Sequence, residues 1–155
     1  MVTWILPACV NEERSYYYEV DRAFETLKTI FWAQNRSLKS IAVGDIAYIY
    51  ESTPVRVIAW KCRVVAVNVP YEETKSIDDS EFEHGDGSIA DSYIKLTAIC
   101  KYDDEGRQKL SYATLRENGL KSRMQGPFRP NEKLLAYINS IEPEAYHETI
   151  TGKLK

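Results

Sequence analysis

The chain has 155 residues carrying 23 acids against 20 bases, a formal charge of −3, and that length fits one domain whose core needs no covalent staples. Cys9, Cys62 and Cys100 are odd in number and lack the C-x-x-C spacing of a zinc or redox site, which argues against a disulfide scaffold and leaves them as small core hydrophobes. No apolar run approaches the ~20 residues of a membrane span and no basic leader opens the chain, so the expectation is a soluble cytoplasmic protein with no membrane partner.

Thr3 to Ala8 is a short apolar run suited to a buried strand, and Pro7, with no N–H for a sheet interior, indicates a strand that leaves the sheet or lies at its edge. After a polar loop from Asn11 to Ser15, Asp21 is placed to cap a helix. Its apolar residues Val20, Phe24, Leu27 and Phe31 recur three and four apart, and it ends near Trp32. The polar string Ala33 to Ser37 leads to the turn dipeptide Gly44-Asp45. From there Ile46, Tyr48 and Tyr50 alternate with Ala47 and Ile49, Ser52-Thr53-Pro54 breaks the strand, and a second run extends from Val55 to Val69. Strands usually run ~5–6 residues, so one this long predicts a bent strand shared between two halves of a closed sheet. Pro70 ends it, and a long acidic loop follows. Asp91 to Tyr102 resumes the alternation and Asp103 to Gly106 turns the chain. Ser111 caps a short helix stopped at Asn118-Gly119, and Asn131 caps a last helix with Leu134, Leu135, Ile138 and Ile141 on one face. The pattern predicts an α+β chain in which the long strand favours a barrel over a flat sheet, with residues 1–141 in one domain and 142–155 a polar tail.

Charge is unevenly spread. Tyr71 to Asp91 holds eight acids and one lysine, leaving 19 bases and 15 acids elsewhere. That small excess allows a positive face around Arg56, Lys61 and Arg63 and around Arg116, Lys121, Arg123, Arg129 and Lys133, although ordinary solvated surface accounts for the same pattern. Signs of catalysis are weak. His84 and His147 lie near no recognisable nucleophile turn, and the acidic run Asp78 to Asp86 lacks the ordered ligand spacing of a calcium loop. The expectation is a protein that is not an enzyme, with no catalytic residues, metal or cofactor.

Among the aromatics, Trp4, Trp60 and Tyr48 read as strand packing. Trp32 stands apart, because Gln34, Asn35 and Arg36 follow it and an indole beside polar groups can wall a pocket. Proteins hold an extruded base between aromatic faces, with amides and a hydroxyl reading its edge; Ser52 and Gln125 are candidates for such edge contacts. The competing reading makes Trp32 a hydrophobe that closes the helix.

The string Trp32-Ala-Gln-Asn-Arg-Ser-Leu, then Ile41-x-Val-Gly-Asp-Ile-x-Tyr-Ile-Tyr-x-Ser52, then Ile58-x-x-Lys-Cys-x-Val64 resembles the EVE domain of the PUA-like superfamily, which also includes the YTH and ASCH domains. The resemblance spans residues 2 to 141. It implies a twisted small β-barrel of five to six mostly antiparallel strands flanked by helices, with a pocket for one modified base, typically a methylated or oxidised cytosine, flipped from a duplex of DNA or RNA. By position, Trp32 would stack on the base, Asn35 and Arg36 would lie at the rim or on phosphate, Tyr50 and Ser52 would line the wall, and Gln125 and Arg129 would close the opposite side. The commoner string reads Trp-x-Gly-Val-Arg-Asn, so this chain departs from it at Asn35 and Arg36. The resemblance also implies a restriction or phage-defence setting with a nuclease as partner protein, this chain being the reader. Two rivals are a PUA-like module that binds a small molecule or protein without nucleic acid, and a metal enzyme using the acidic loop.

Overall fold

The hairpin that follows Gly44-Asp45 is the centre of a mixed sheet in the computed structural model, which describes residues 1–141 and 143–145. Strands β1 (Thr3–Ala8), β3 (Thr29–Ala33), β4 (Ile46–Glu51), β5 (Val57–Val69) and β7 (Tyr93–Lys101) pair in the order β1-β4-β5-β7-β3. β1 and β4 run parallel, from Thr3 opposite Ile46 to Ala8 opposite Glu51, and the other three pairings are antiparallel. A short β8 (Glu144–Ala145) adds beside Cys100 and Lys101 of β7. β2 (Tyr17–Tyr18) and β6 (Glu83–His84) form a separate two-stranded ribbon. Apart from 143–145, the polar tail lies outside the described residues.

The α+β class holds, as do the strand count and orientation, but the barrel does not close. Among the described residues no ladder joins β1 to β3. Two local facts keep this seam open. Pro7 offers no N–H, and the free edge of β1 at Ile5 is taken by Phe128, with N···O distances of 2.8 and 3.1 Å. The expected bend is present. β5 shifts register against β7 between Lys61 and Cys62, between Val64 and Ala66 and between Ala66 and Val69. Against β4 it carries an extra residue, since Ile49 faces Trp60 while Tyr50 faces Ile58. That bulge at Ala59 interrupts the strand's two-residue alternation, so Ile58 and Trp60 enter different cores.

One core joins Trp4, Leu6, Ile49, Trp60, Cys62 and Leu96 to Ala23 and Phe24 of α1 (Val20–Leu27). The other joins Ile5, Tyr48, Tyr50 and Ile58 to α2 (Asp104–Lys109), α3 (Tyr112–Glu117) and α4 (Glu132–Ser140) through Leu110, Leu115, Leu134 and Ile138. The capping residues read from the sequence do their work in α3 and α4: Ser111 accepts from Thr114 N and Asn131 from Leu134 N. Helix α2 replaces the expected turn, because Asp103 accepts from Gly106 N at 2.7 Å and starts a helix.

The first helix differs from expectation at both ends. Glu19, not Asp21, precedes it without a side-chain cap, and it stops at Leu27, where Lys28 adopts φ +66°. Phe31 and Trp32 therefore sit in β3. The β-branched and aromatic run Thr29-Ile30-Phe31-Trp32 prefers a pleated surface, and that local preference outweighs the helical spacing that Phe31 shares with Leu27.

Candidate nucleic-acid interface

The open seam between β1 and β3 holds a cavity of about 470 Å³. Pro7 and Ala8 of β1 with Cys9 just after it form one side, and Phe31, Trp32 and Ala33 of β3 form another; Tyr16 precedes the ribbon, Tyr18 and Glu83 belong to it, Asp86, Gly87 and Ser88 follow it in the acidic loop, and Tyr93 starts β7. Its size falls within the roughly 300–1,000 Å³ of small-molecule sites. The walls are aromatic, and the charged side chains among them are the carboxylates Glu83 and Asp86.

The ribbon is what brings the acidic loop to this place. Gly85 sits at φ +94°, where a Cβ would stand 2.0 Å from the Ser15 carbonyl oxygen, so only glycine lets β6 close on the loop before β2. Around it, Tyr16 donates to Glu83 at 2.9 Å and Tyr18 to Asp79 at 2.8 Å. Burial, reinforced by those carboxylates, pushes both phenols well above their ordinary range, so they remain neutral donors. His84 stacks on Tyr17 at 4.4 Å between ring centroids and meets Glu19 at 2.6 Å, which pins the ribbon to the start of α1.

A second hollow, also about 470 Å³, is lined by Gln34, Asn35, Arg36, Lys39, Asn68 and residues 89–92. It adjoins the first, because three segments pass from one to the other between neighbouring residues: Ala33 to Gln34, Ser88 to Ile89 and Ser92 to Tyr93. Gln34 is a buried brace rather than an exposed reader. It donates to Leu38 O and Asn68 Oδ1 and accepts from Asn68 N at 2.7 Å and from Ser92 Oγ. Asn35 accepts from Ser37 N and Oγ, while Arg36 and Lys39 are exposed and pair with no acid among the described residues.

Of the residues singled out in the sequence, Trp32 lines the cavity and Asn35 and Arg36 line the adjoining hollow. The other four lie elsewhere. Tyr50 is 3% exposed in the second core, under the helices on the opposite sheet face from Ile49. Ser52 donates its N–H to Ala8 O at 3.0 Å but does not line the cavity. Gln125 is exposed, and Arg129 lies over the Trp4 ring at 4.9 Å and donates to Ser40 Oγ at 3.1 Å. Alternation assigned Tyr50 to a strand face without saying which face the helices cover. Sequence reading also missed Tyr16, Tyr18, Glu83 and Asp86 as cavity residues; the signals available were the Tyr16-Tyr17-Tyr18 run and the glycines on either side of Asp86.

Two other groupings lie outside the cavity. Arg56 and Arg116 flank the Tyr112 ring at 4.3 and 5.8 Å, and Lys61 lies over the Tyr48 ring at 5.9 Å. Buried Glu51 faces Arg107 at 3.8 Å, and Arg107 holds Asp21 at 3.1 and 3.2 Å, with the Trp60 indole donating to Asp21 at 2.7 Å. Burial, then the neighbouring Asp21, raises Glu51 far above the carboxylate range; burial works against ionisation of Asp21 as well, but its hydrogen bonds and the Arg107 charge hold it below that range. No group of three or more His, Cys, Asp or Glu among the described residues is placed to hold a metal ion, and none of their helices is long and apolar enough to cross a membrane.

These features define an α+β protein with a seam cavity in a bent sheet, and solved structures share that fold. Human THYN1, in a complex with DNA containing 5-methylcytosine, matches with a TM-score of 0.64 at 12% identity, covering 92% of this chain and 100% of that one. A Pseudomonas putida protein matches at 0.59 and 16% identity, covering 90% and 99%. The ASCH protein of Zymomonas mobilis matches at 0.52 and 10%, covering 92% and 96%. The shared fold is the PUA-like one. No family model and no curated protein matches the sequence.

Proposed function

We propose that this chain is a non-enzymatic nucleic-acid-binding module of EVE type, which takes one methylated or oxidised base from a strand into the seam cavity and stacks it on Trp32. The observation that carries the reading is the pairing of an aromatic cavity with an adjoining hollow that bears Arg36 and Lys39. A flat ring suits the first and a phosphate the second. The fold shared with THYN1, which binds DNA containing 5-methylcytosine, supports it. In a restriction or phage-defence setting, cutting would fall to a partner nuclease.

Base stacking on an aromatic side chain contributes about 1–3 kcal/mol, so Trp32→Ala is expected to weaken binding to an oligonucleotide carrying the modified base by about tenfold or more. Arg36→Ala is expected to lower affinity on all sequences and to flatten the salt dependence by about one phosphate contact. Failure of the chain to bind modified and unmodified strands alike, with Trp32→Ala indistinguishable from wild type, would end this reading.

One observation favours a second reading, a module for a small amino-bearing ligand without nucleic acid: the charged residues lining the cavity are both acids. Binding that is independent of salt would favour it, since phosphate contacts impose a steep salt slope.

A further inference from the structure

The two strand edges that face each other across the seam are unequal. At the two ends of the β1–β4 ladder Val2 O accepts from Ile46 N and Ala8 O from Ser52 N, both at 3.0 Å. The even positions of β1 therefore bond to β4 and the odd ones turn to the seam. Those odd positions are used or blunted: Ile5 bonds Phe128 through both backbone groups, Cys9 O accepts from Tyr18 N at 2.8 Å, and Pro7 has no N–H. β3 is different. Its ladder with β7 is bracketed by Ala98 N to Lys28 O and Gln34 N to Ser92 O, each 2.9 Å, which assigns the even positions to β7 and turns the N–H and C=O of Phe31 and Ala33 to the seam. Among the described residues these backbone groups have no partner. The strand also lacks the charge, proline or bulge that blunts an exposed edge.

We propose that the outer edge of β3 takes an extended peptide as an added strand, paired through Phe31 and Ala33 and carrying a lysine or arginine. In such pairing main-chain bonds supply affinity and alternate side chains supply selectivity. Pro7, Ala8 and Cys9 stand across the same cavity. A single chain fits beside β3, whereas a second copy of this sheet would bring its own next strand ~5 Å further, into that wall. Charge sets the chemistry of the occupant. The cavity wall supplies Glu83 and Asp86 and no lysine, arginine or histidine, and the stretch 71–91 that contains them holds eight acids and one lysine. A cationic side chain is attracted there and an anionic one repelled. The pairing uses backbone groups of β3 and does not depend on a base entering the cavity.

The probes are a short capped peptide of alternating valine and lysine and the same peptide with glutamate in place of lysine. Hydrogen exchange followed by NMR on the full chain reads the edge residue by residue. In the free protein the Phe31 and Ala33 amides are expected to exchange faster than those of Ile30 and Trp32, and saturation with the lysine peptide should slow the first pair by about tenfold or more while leaving the second pair unchanged. The glutamate peptide should bind at least about tenfold more weakly. Ala33→Pro removes an outward N–H and leaves the β7 ladder intact, so it should weaken the lysine peptide by about tenfold with the urea midpoint unchanged. Equal protection of all four amides in the free protein would mean that the edge is already covered, by another segment or, where dilution exposes it, by a second copy, and would overturn the proposal. So would the absence of slowing at millimolar lysine peptide, or full binding by Ala33→Pro. Equal binding of the two peptides would overturn the choice of a cationic partner.

Discussion

At Asp45 a single carboxylate accepts from Val2 N and Ala42 N at 2.9 Å and from the Trp4 indole at 3.1 Å. Burial opposes its ionisation, but these donors hold it below the usual carboxylate range. Asp45→Ala would leave the buried indole and two backbone N–H groups without their acceptor, so a loss of about 2–4 kcal/mol in urea unfolding is expected. Asp45→Asn retains one acceptor oxygen and is expected to lose less. Here the sequence was legible, because glycine followed by a short acid specifies the turn locally. Trp32 was legible as a residue outside the core pattern, yet its element was misread: helix and strand spacing coincide over so short a run as Leu27 to Phe31. Tyr50 was placed on a strand face correctly and in a pocket incorrectly. Which face is open depends on α3 and α4, far along the chain, and no local pattern carries that.

Among the elements, the ribbon of β2 and β6 was the least visible beforehand. Two-residue strands carry no periodicity, and their partners are more than sixty residues apart in the chain, Tyr17 opposite His84. The glycines left a trace. Gly44 and Gly85 have nearly the same positive φ, +95° and +94°, but a Cβ at Gly44 meets nothing within 4 Å, whereas at Gly85 it would meet the Ser15 carbonyl. Gly44→Ala should therefore cost about 1 kcal/mol, the intrinsic penalty of the left-handed region. Gly85→Ala should cost more and should act locally, detaching β6 from β2. Hydrogen exchange over residues 82–88 would rise in the Gly85 variant and stay at the wild-type rate in the Gly44 variant. Unchanged protection in both would mean that the ribbon does not depend on this close approach.

For the whole molecule, the element pattern sufficed for an α+β domain with a bent sheet, while closure depended on one edge contact, Ile5 with Phe128, that strand patterns do not encode. The cluster of Asp21, Glu51 and Arg107 ties the layers together, since its members come from α1, the end of β4 and α2. It makes global stability depend on pH. Folded Glu51 is raised to about 9, chiefly by burial and then by Asp21, whereas in the unfolded chain it titrates near the ordinary ~4.3. Between those values the folded state holds the extra proton, so this group lowers stability steadily as pH rises and the effect levels off above the folded value. Asp21 acts in the opposite sense: its depressed value adds stability above the ordinary carboxylate range, and that stability is lost as pH falls toward 2. Glu51→Gln keeps the shape and removes the titration. Its unfolding free energy in urea should match wild type near pH 5 and exceed it increasingly toward pH 8, by about 1.4 kcal/mol per pH unit and so on the order of 4 kcal/mol over that span. Parallel pH profiles for the two proteins would show that Glu51 is already ionised in the fold and that Arg107, rather than a retained proton, balances its charge.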